Sequence, residues 1–280
     1  MFESPFYDLL GFLSPGVMQA YVILMFLAVV GGTVFDTIHK RSAQYFFENA
    51  EKAKASAKRE VGSGEKVGLA ISTVANEVLT SSEFCNPQRR MSHLLTMYGF
   101  VIFIVTTVML IFGHPTPADA ASGGLVALWH LGALMVCGGG YWFWFFIRCD
   151  VNSEGHPWYK LVRADLFILS LLMTATFALL WSITRGAGAL NIFFFLIFIA
   201  ASTTLFCTVL WSKFAHMFFK PAAAYQKKIT KADGSQENLP DVGEMSDPEI
   251  QAKYPDIPTY MGNNPPNMGL GIKRESPNHY

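Results

Sequence analysis

The chain has 280 residues, 51% hydrophobic and 15% charged, where ordinary soluble domains carry roughly 25% charged residues. Lysine plus arginine equals aspartate plus glutamate at 21 each, so there is no net basic field of the kind that gathers nucleic acid. The apolar excess falls in long runs, and the useful information in the charges is where they sit.

The first stretch, MFESPFYDLLGF, is acidic and has no basic leader region, so a cleavable signal peptide is not expected. Five runs then reach the roughly 20 apolar residues that a membrane crossing needs. They cover about 17–38, 92–113, 123–147, 163–183 and 189–217. The predicted fold class is therefore an all-α integral membrane bundle of five transmembrane helices.

Between the first and second runs, 39–91 is expected to be a helical insertion. RSAQYFFENAEKAKASAKRE has helix-forming composition and reads as an extension of the first helix. KVGLAISTVANEVLTSSEF sets Val67, Ile71, Val74 and Val78 on one stripe. That stripe suits a membrane surface, a partner, or the end of the bundle. The division expected is a membrane domain over 1–221 and a cytoplasmic tail over 222–280. The tail's last part, YPDIPTYMGNNPPNMGLGIKRESPNHY, is too rich in Pro, Gly and Asn to build a core. Its Tyr254, Tyr260, Met261, Met268 and Tyr280 suit an extended path over a soluble partner, with a free tail as the other reading.

Basic residues fix the expected orientation. The segment before the first run, the 114–122 connection and the fourth connection together hold one, Arg185. The other sides hold twenty, nine of them between residues 39 and 91. Lysine and arginine near helix ends stay cytoplasmic, so the N-terminus is expected outside and the C-terminus in the cytoplasm. Cys85, Cys137, Cys149 and Cys207 form no CxxC pair, which argues against an iron–sulfur or structural zinc site on this chain.

Histidines carry the candidate chemistry. Imidazole is the usual axial ligand of a b-type haem, and a haem held by two of them needs both at one depth on facing helices. His93 opens the second run and His216 closes the fifth, at the same expected end. Arg89 and Arg90 precede His93 by four and three residues, and Lys213 precedes His216 by three. These cations suit haem propionates. The bland alternative is interfacial histidines bonded to headgroups or backbone. His130 and His114 lie toward the other face; each reads as a second ligand, a quinone contact or a structural histidine. His39, Asp36 and Asp165 lie near cytoplasmic ends, where pairing with Arg41 or Arg163 competes with a role beside a quinone.

Residues 74–107, VANEVLTSSEFCNPQRRMSHLLTMYGFVIFIVTT, resemble the start of the second membrane helix in the respiratory nitrate reductase gamma-subunit superfamily. That superfamily includes membrane subunits of quinone-interacting oxidoreductases and heterodisulfide reductases. The matching features are Arg89, Arg90, His93 and the triplet Tyr98-Gly99-Phe100. WSKFAHMFFKP at 211–221 is similar to the end of the family's fifth helix, with His216 as its ligand, and 162–185 is a weaker match to the fourth. The resemblance implies a five-helix module in which His93 and His216 ligate the iron of haem b. It also implies a quinone, and a cytoplasmic flavin or iron–sulfur enzyme as partner. The family's second haem would find its ligands at Phe103 and Phe198, so one haem is expected here, with His130 as the one alternative ligand for another. A haem-free anchor stays open as the second reading, and a small transporter as the third, weakened by the absence of an inverted repeat.

Overall fold

The computed structural model describes residues 3–39, 42–82, 84, 86–148, 157–209, 216–235 and 247–253. Among them there are helices and no strands. Five helices are long and apolar enough to cross a membrane, making this a multi-pass membrane protein. They are α1 (Pro15–His39), α4 (Pro87–Val108), α5 (Gly123–Trp142), α6 (Leu166–Ile183) and α7 (Ala189–Cys207). Two of them run on through π turns, Met109–Gly113 after α4 and Phe143–Ile147 after α5. The chain divides into two compact units: residues 1–42 with 86–219, and residues 43–85 with 220–280.

The first unit holds all five apolar helices. Small residues let α4 and α5 approach until backbones touch. A Cβ on Gly132 would lie 2.6 Å from the Phe103 amide nitrogen; one on Gly99, 2.7 Å from that of Val136; one on Gly139, 2.7 Å from the Ser92 carbonyl oxygen. These pairings, 92 with 139 and 103 with 132, run antiparallel. Lipid tails are as apolar as leucine, so close packing and interhelical hydrogen bonds replace the hydrophobic effect as the force between helices. The Ser92 hydroxyl donates to the Gly139 carbonyl and the Trp129 indole to Thr107. Each such bond contributes about 0.6 kcal/mol in a membrane.

The other seams follow the same chemistry. Tyr141 and Thr176 join α5 to α6 through their hydroxyls, 2.8 Å apart. The Asn191 amide donates to the Trp181 carbonyl between α7 and α6. Tyr21 of α1 reaches Thr203 of α7 at 3.0 Å, and Gly32 lies against Val209, so α1 and α7 run parallel. Directions therefore alternate through the bundle. One end gathers Pro15, Gly113, Gly123, Ile183 and Ala189; the other gathers His39, Pro87, Ile147, Arg163 and Cys207.

The first of these ends is closed by the N-terminal segment. Pro5–Gly11 forms a 3-10 helix whose Phe6 stands edge-on to Trp129 and Trp181, at 5.9 and 5.4 Å between centroids. The Arg185 guanidinium donates to both oxygens of Asp8 and to the Glu3 carbonyl. Asp8 holds that guanidinium above its ordinary pKa. Arg185 thus fastens the N-terminal segment to the bundle.

Two expectations are corrected. The fifth run was expected to continue to 217, but α7 ends at Cys207. The hydroxyls of Thr203, Thr204 and Thr208 each bond the carbonyl four residues back, a pattern that weakens and bends helices. Residues after 221 were expected to be extended, yet α8 runs His216–Asp233 through Pro221, helped by the good formers of AAAYQKK. Residues 43–85, which fall inside the helical insertion expected over 39–91, group with 220–280.

That second unit contains α2 (Ser42–Ala55), α3 (Ser63–Thr73) with a π turn over Val74–Leu79, most of α8, and α9 (Pro248–Lys253). Asp233 accepts from the Lys58 and Arg59 amides, and Gly234 at φ +78° makes the turn beside them. Lys228 pairs with Glu77. Val67, Ile71 and Val74 do form one stripe, and each is at least half exposed. Arg59 forks onto Glu65, holding that carboxyl below the usual carboxylate range. This lowered folded value means the pair's support is present above the unfolded pKa and is lost as pH falls through the folded one. An NMR titration should find the Glu65 midpoint below that of an exposed glutamate, and Arg59→Gln should return it upward.

Gly132→Ala should destabilise the bundle by about 1–3 kcal/mol, because its Cβ meets backbone that cannot withdraw. Gly138→Ala, whose Cβ would meet Leu95 at an ordinary 3.5 Å, should stay within about 0.5 kcal/mol. Thermal unfolding in detergent compares the two; equal effects would refute the close-packed seam.

Candidate functional site

α4 begins cleanly. Asn86 caps it by accepting from the Gln88 and Arg89 amides, and Pro87 takes the first position. Arg89 and Arg90 fall in the first turn and His93 in the second; all three are half-buried. Ser92, Gly99, Phe103 and Thr106 are buried; the first three lie at the α5 seam, with Thr96 against Gly139 beside them. His93, Met97, Phe100, Ile104 and Val108 occupy a different side of α4 by helical spacing. Phe100 shows where that side looks: its ring is 6.5 Å from Phe206 of α7. His93 therefore belongs to the side of α4 that meets α7, and α7 ends at the same end of the bundle.

His216 is the first residue of α8, nine positions after Cys207. Lys213 and the side chain of His216 lie outside the described residues, as do His156 and His279. The structure thus brings His93, Arg89, Arg90 and the C-terminus of α7 to one end.

His130 lies toward the opposite end, and both of its nitrogens are engaged within the chain. Nδ1 donates to the Val126 carbonyl at 2.8 Å, and Nε2 is 2.7 Å from the Ser182 hydroxyl. A carbonyl only accepts, so Nδ1 carries a proton and Nε2 faces serine. His114 closes the connection before α5, its Nδ1 donating to the Asp119 carbonyl. In this arrangement both are structural histidines. Phe103 and Phe198, where the resemblance would put a second haem's ligands, are buried in an aromatic cluster. Phe103 lies 5.2 Å from Trp129, Phe198 stacks at 5.8 Å on Trp181, and both indoles are fully buried. A flat macrocycle does not fit among these rings as they are packed.

The polar residues at the His93 end include two that the sequence left undecided. Asp165 pairs with Arg148, not with Arg163. Arg148 is fully buried, donates from Nε and Nη2 to both Asp165 oxygens and from Nη1 and Nη2 to the carbonyls of Pro157 and Lys160, and lies 4.3 Å over the Trp144 ring. This saturated pair ties the α5–α6 connection together, which takes Asp165 out of the candidate site. Asp36 is 4% exposed. It follows Met18, Val22, Val29 and Gly32 on the stripe of α1 that faces the bundle. His39, by contrast, is exposed and stacks on Phe35. The sequence could not reveal Arg148, since a guanidinium is buried only when every partner is supplied, and those partners come from across a connection.

Comparison with protein-family models, curated proteins and solved structures finds no match.

Arg148→Met should leave the Asp165 carboxylate buried and uncompensated, destabilising the bundle by about 3–5 kcal/mol, while Arg148→Met with Asp165→Leu should recover most of it. Thermal unfolding in detergent reads both; an undisturbed single variant would refute the buried pair.

Proposed function

We propose that the chain is the membrane anchor and electron-transfer subunit of a larger oxidoreductase, joining a cytoplasmic flavin or iron–sulfur enzyme to the quinone pool. The observation that carries this reading is the side on which His93 lies. It is turned off the glycine seam toward α7, one turn after Arg89 and Arg90, at the end of the bundle from which the chain continues to His216. His93 and His216 would hold the iron of one b-type haem, with Arg89, Arg90 and Lys213 beside its propionates. When bound, the haem would supply a one-electron relay between the partner's cluster and quinone.

The chain's own residues do the rest. Two histidines ligate, cations at the helix ends neutralise carboxylates, and α4 and α7 exclude water from the iron. The packed aromatic cluster at the other end supports a single haem. By the distribution of lysine and arginine, the His93 end faces the cytoplasm and the N-terminus lies outside; as a quinone-linked subunit the protein would reside in the inner membrane of its cell. The tail after 253 would lie along the soluble partner. A small membrane subunit with a Pro-rich tail, more than the haem motif, resembles the membrane anchor of adenylylsulfate reductase; that enzyme would then be the partner, which would place the chain in sulfur metabolism and a respiratory chain. The sulfur chemistry would belong to the soluble enzyme, since no phosphate-cradling glycine motif occurs here.

His93→Ala and His216→Ala should each abolish haem binding in purified protein while leaving membrane insertion intact. Haem retained in full by both variants would refute the ligand pair. Protein that never binds haem, even with its partner, would favour a haem-free anchor.

A further inference from the structure

A helix on a water-facing surface turns its apolar side inward and its polar side out. Helix α3 does the reverse. Thr73 is 2% exposed and donates its hydroxyl to the Leu69 carbonyl. The Lys228 ammonium of α8 donates to the Ser72 hydroxyl at 3.4 Å and pairs with Glu77, in the π turn that continues α3, at 3.5 Å. The polar side of α3 is thus turned into its own unit. On the opposite side, Val67, Ile71 and Val74 are 58%, 64% and 50% exposed. Gly64, Gly68 and Ala70 complete that side by helical spacing, and no charged residue of α3 falls on it.

Connectivity brings one apolar phase within reach of this stripe. α1 ends at His39 and α4 begins at Pro87, at the same end of the bundle. The chain between them therefore leaves the bilayer and re-enters it at one surface. Thirteen residues separate Val74 from Pro87, so the stripe is tethered within roughly 45 Å of that surface even at full extension. Its chemistry also suits lipid. Protein docking sites concentrate Trp, Tyr and Arg in shaped pockets, whereas this row is aliphatic, with no ring and no hydrogen-bonding group. Acyl chains ask only for apolar area. Lys66 is exposed beside Val67 at the edge of the row, where it can meet a lipid phosphate.

We propose that α3 is an in-plane membrane helix, with Val67, Ile71 and Val74 seated among acyl chains at the headgroup boundary of the leaflet that α1 leaves and α4 re-enters. The outward apolar side is then covered by lipid, and the inward polar side keeps its bonds to Lys228. The proposal stands on the membrane spans and on the sidedness of α3. It needs neither a haem nor a soluble partner, so it holds or fails independently of the electron-transfer reading.

The test is nitroxide scanning of the full chain in vesicles of phosphatidylcholine and phosphatidylglycerol, with the 4 native cysteines replaced by alanine. Val67→Cys, Ile71→Cys and Val74→Cys are spin-labelled one at a time, with Asn76→Cys, exposed off the stripe, as the reference. Each variant is first matched to the parent by circular dichroism, and three stripe positions guard against one that misfolds. Power saturation with oxygen and with a water-soluble nickel chelate reads the depth. The expected result is about 5–10 Å below the phosphates at the stripe positions, with the chelate reaching position 76. Stripe nitroxides that the chelate reaches as readily as position 76, or equal depth at all the labelled positions, would overturn the proposal. Stripe nitroxides shielded from oxygen and chelate alike would place protein over the stripe, a second copy if dipolar broadening accompanies it, and would overturn the proposal equally.

Discussion

The approach of α4 to α5 through Gly99, Gly132 and Gly139 is the constraint from which the rest of the bundle follows. Backbone atoms lie where side chains would otherwise stand, so neither helix can rotate without a collision. That fixes which side of α4 faces α5, and therefore which side is left for α7 and α1. His93 is on the second side because Ser92 is on the first. A single serine donating to the Gly139 carbonyl and a single histidine beside it thus divide the labour of one helix turn between packing and proposed ligation.

The two ends of the bundle are chemically unlike. One is filled with rings: Phe6, Phe103, Trp129, Trp181, Phe195 and Phe198 pack against each other under the N-terminal 3-10 helix. Its histidines are occupied in bonds to backbone and serine. The other end carries Arg89, Arg90, His93, the Arg148–Asp165 pair and Asp36. Ionisable groups are expensive inside a membrane and persist there when paired or functional. Arg148 and Asp165 are accounted for by pairing. His93, one turn after Arg89 and Arg90 on the side of α4 turned from the glycine seam, is the group at this end that the proposed function uses.

The five spans were legible because each needs only length and apolar composition, and four of them match to within a few residues. The fifth ended early, at Cys207, among threonines whose hydroxyls bond the carbonyl four residues back, a local weakening that hydropathy does not register. The stripe through Val67, Ile71 and Val74 was legible as a pattern, since helical spacing is local. The partner of Asp165 was not, because the choice between Arg148 and Arg163 depends on how a connection folds back. His93 could be singled out from its place and its arginines, but its side of α4 required knowing where the glycines sit on α5. The role of the first dozen residues was hidden entirely: nothing local marks Phe6 as a wedge between two tryptophans or Asp8 as the partner of Arg185.

The central claim is that one haem is held at the His93 end. A dithionite-reduced minus oxidised spectrum of the purified full-length protein, with a pyridine haemochrome count per chain, tests it most directly. The account predicts a b-type spectrum and one haem per chain. Two haems would contradict the closed aromatic end, and none, in protein purified with its soluble partner, would contradict the electron-transfer reading itself.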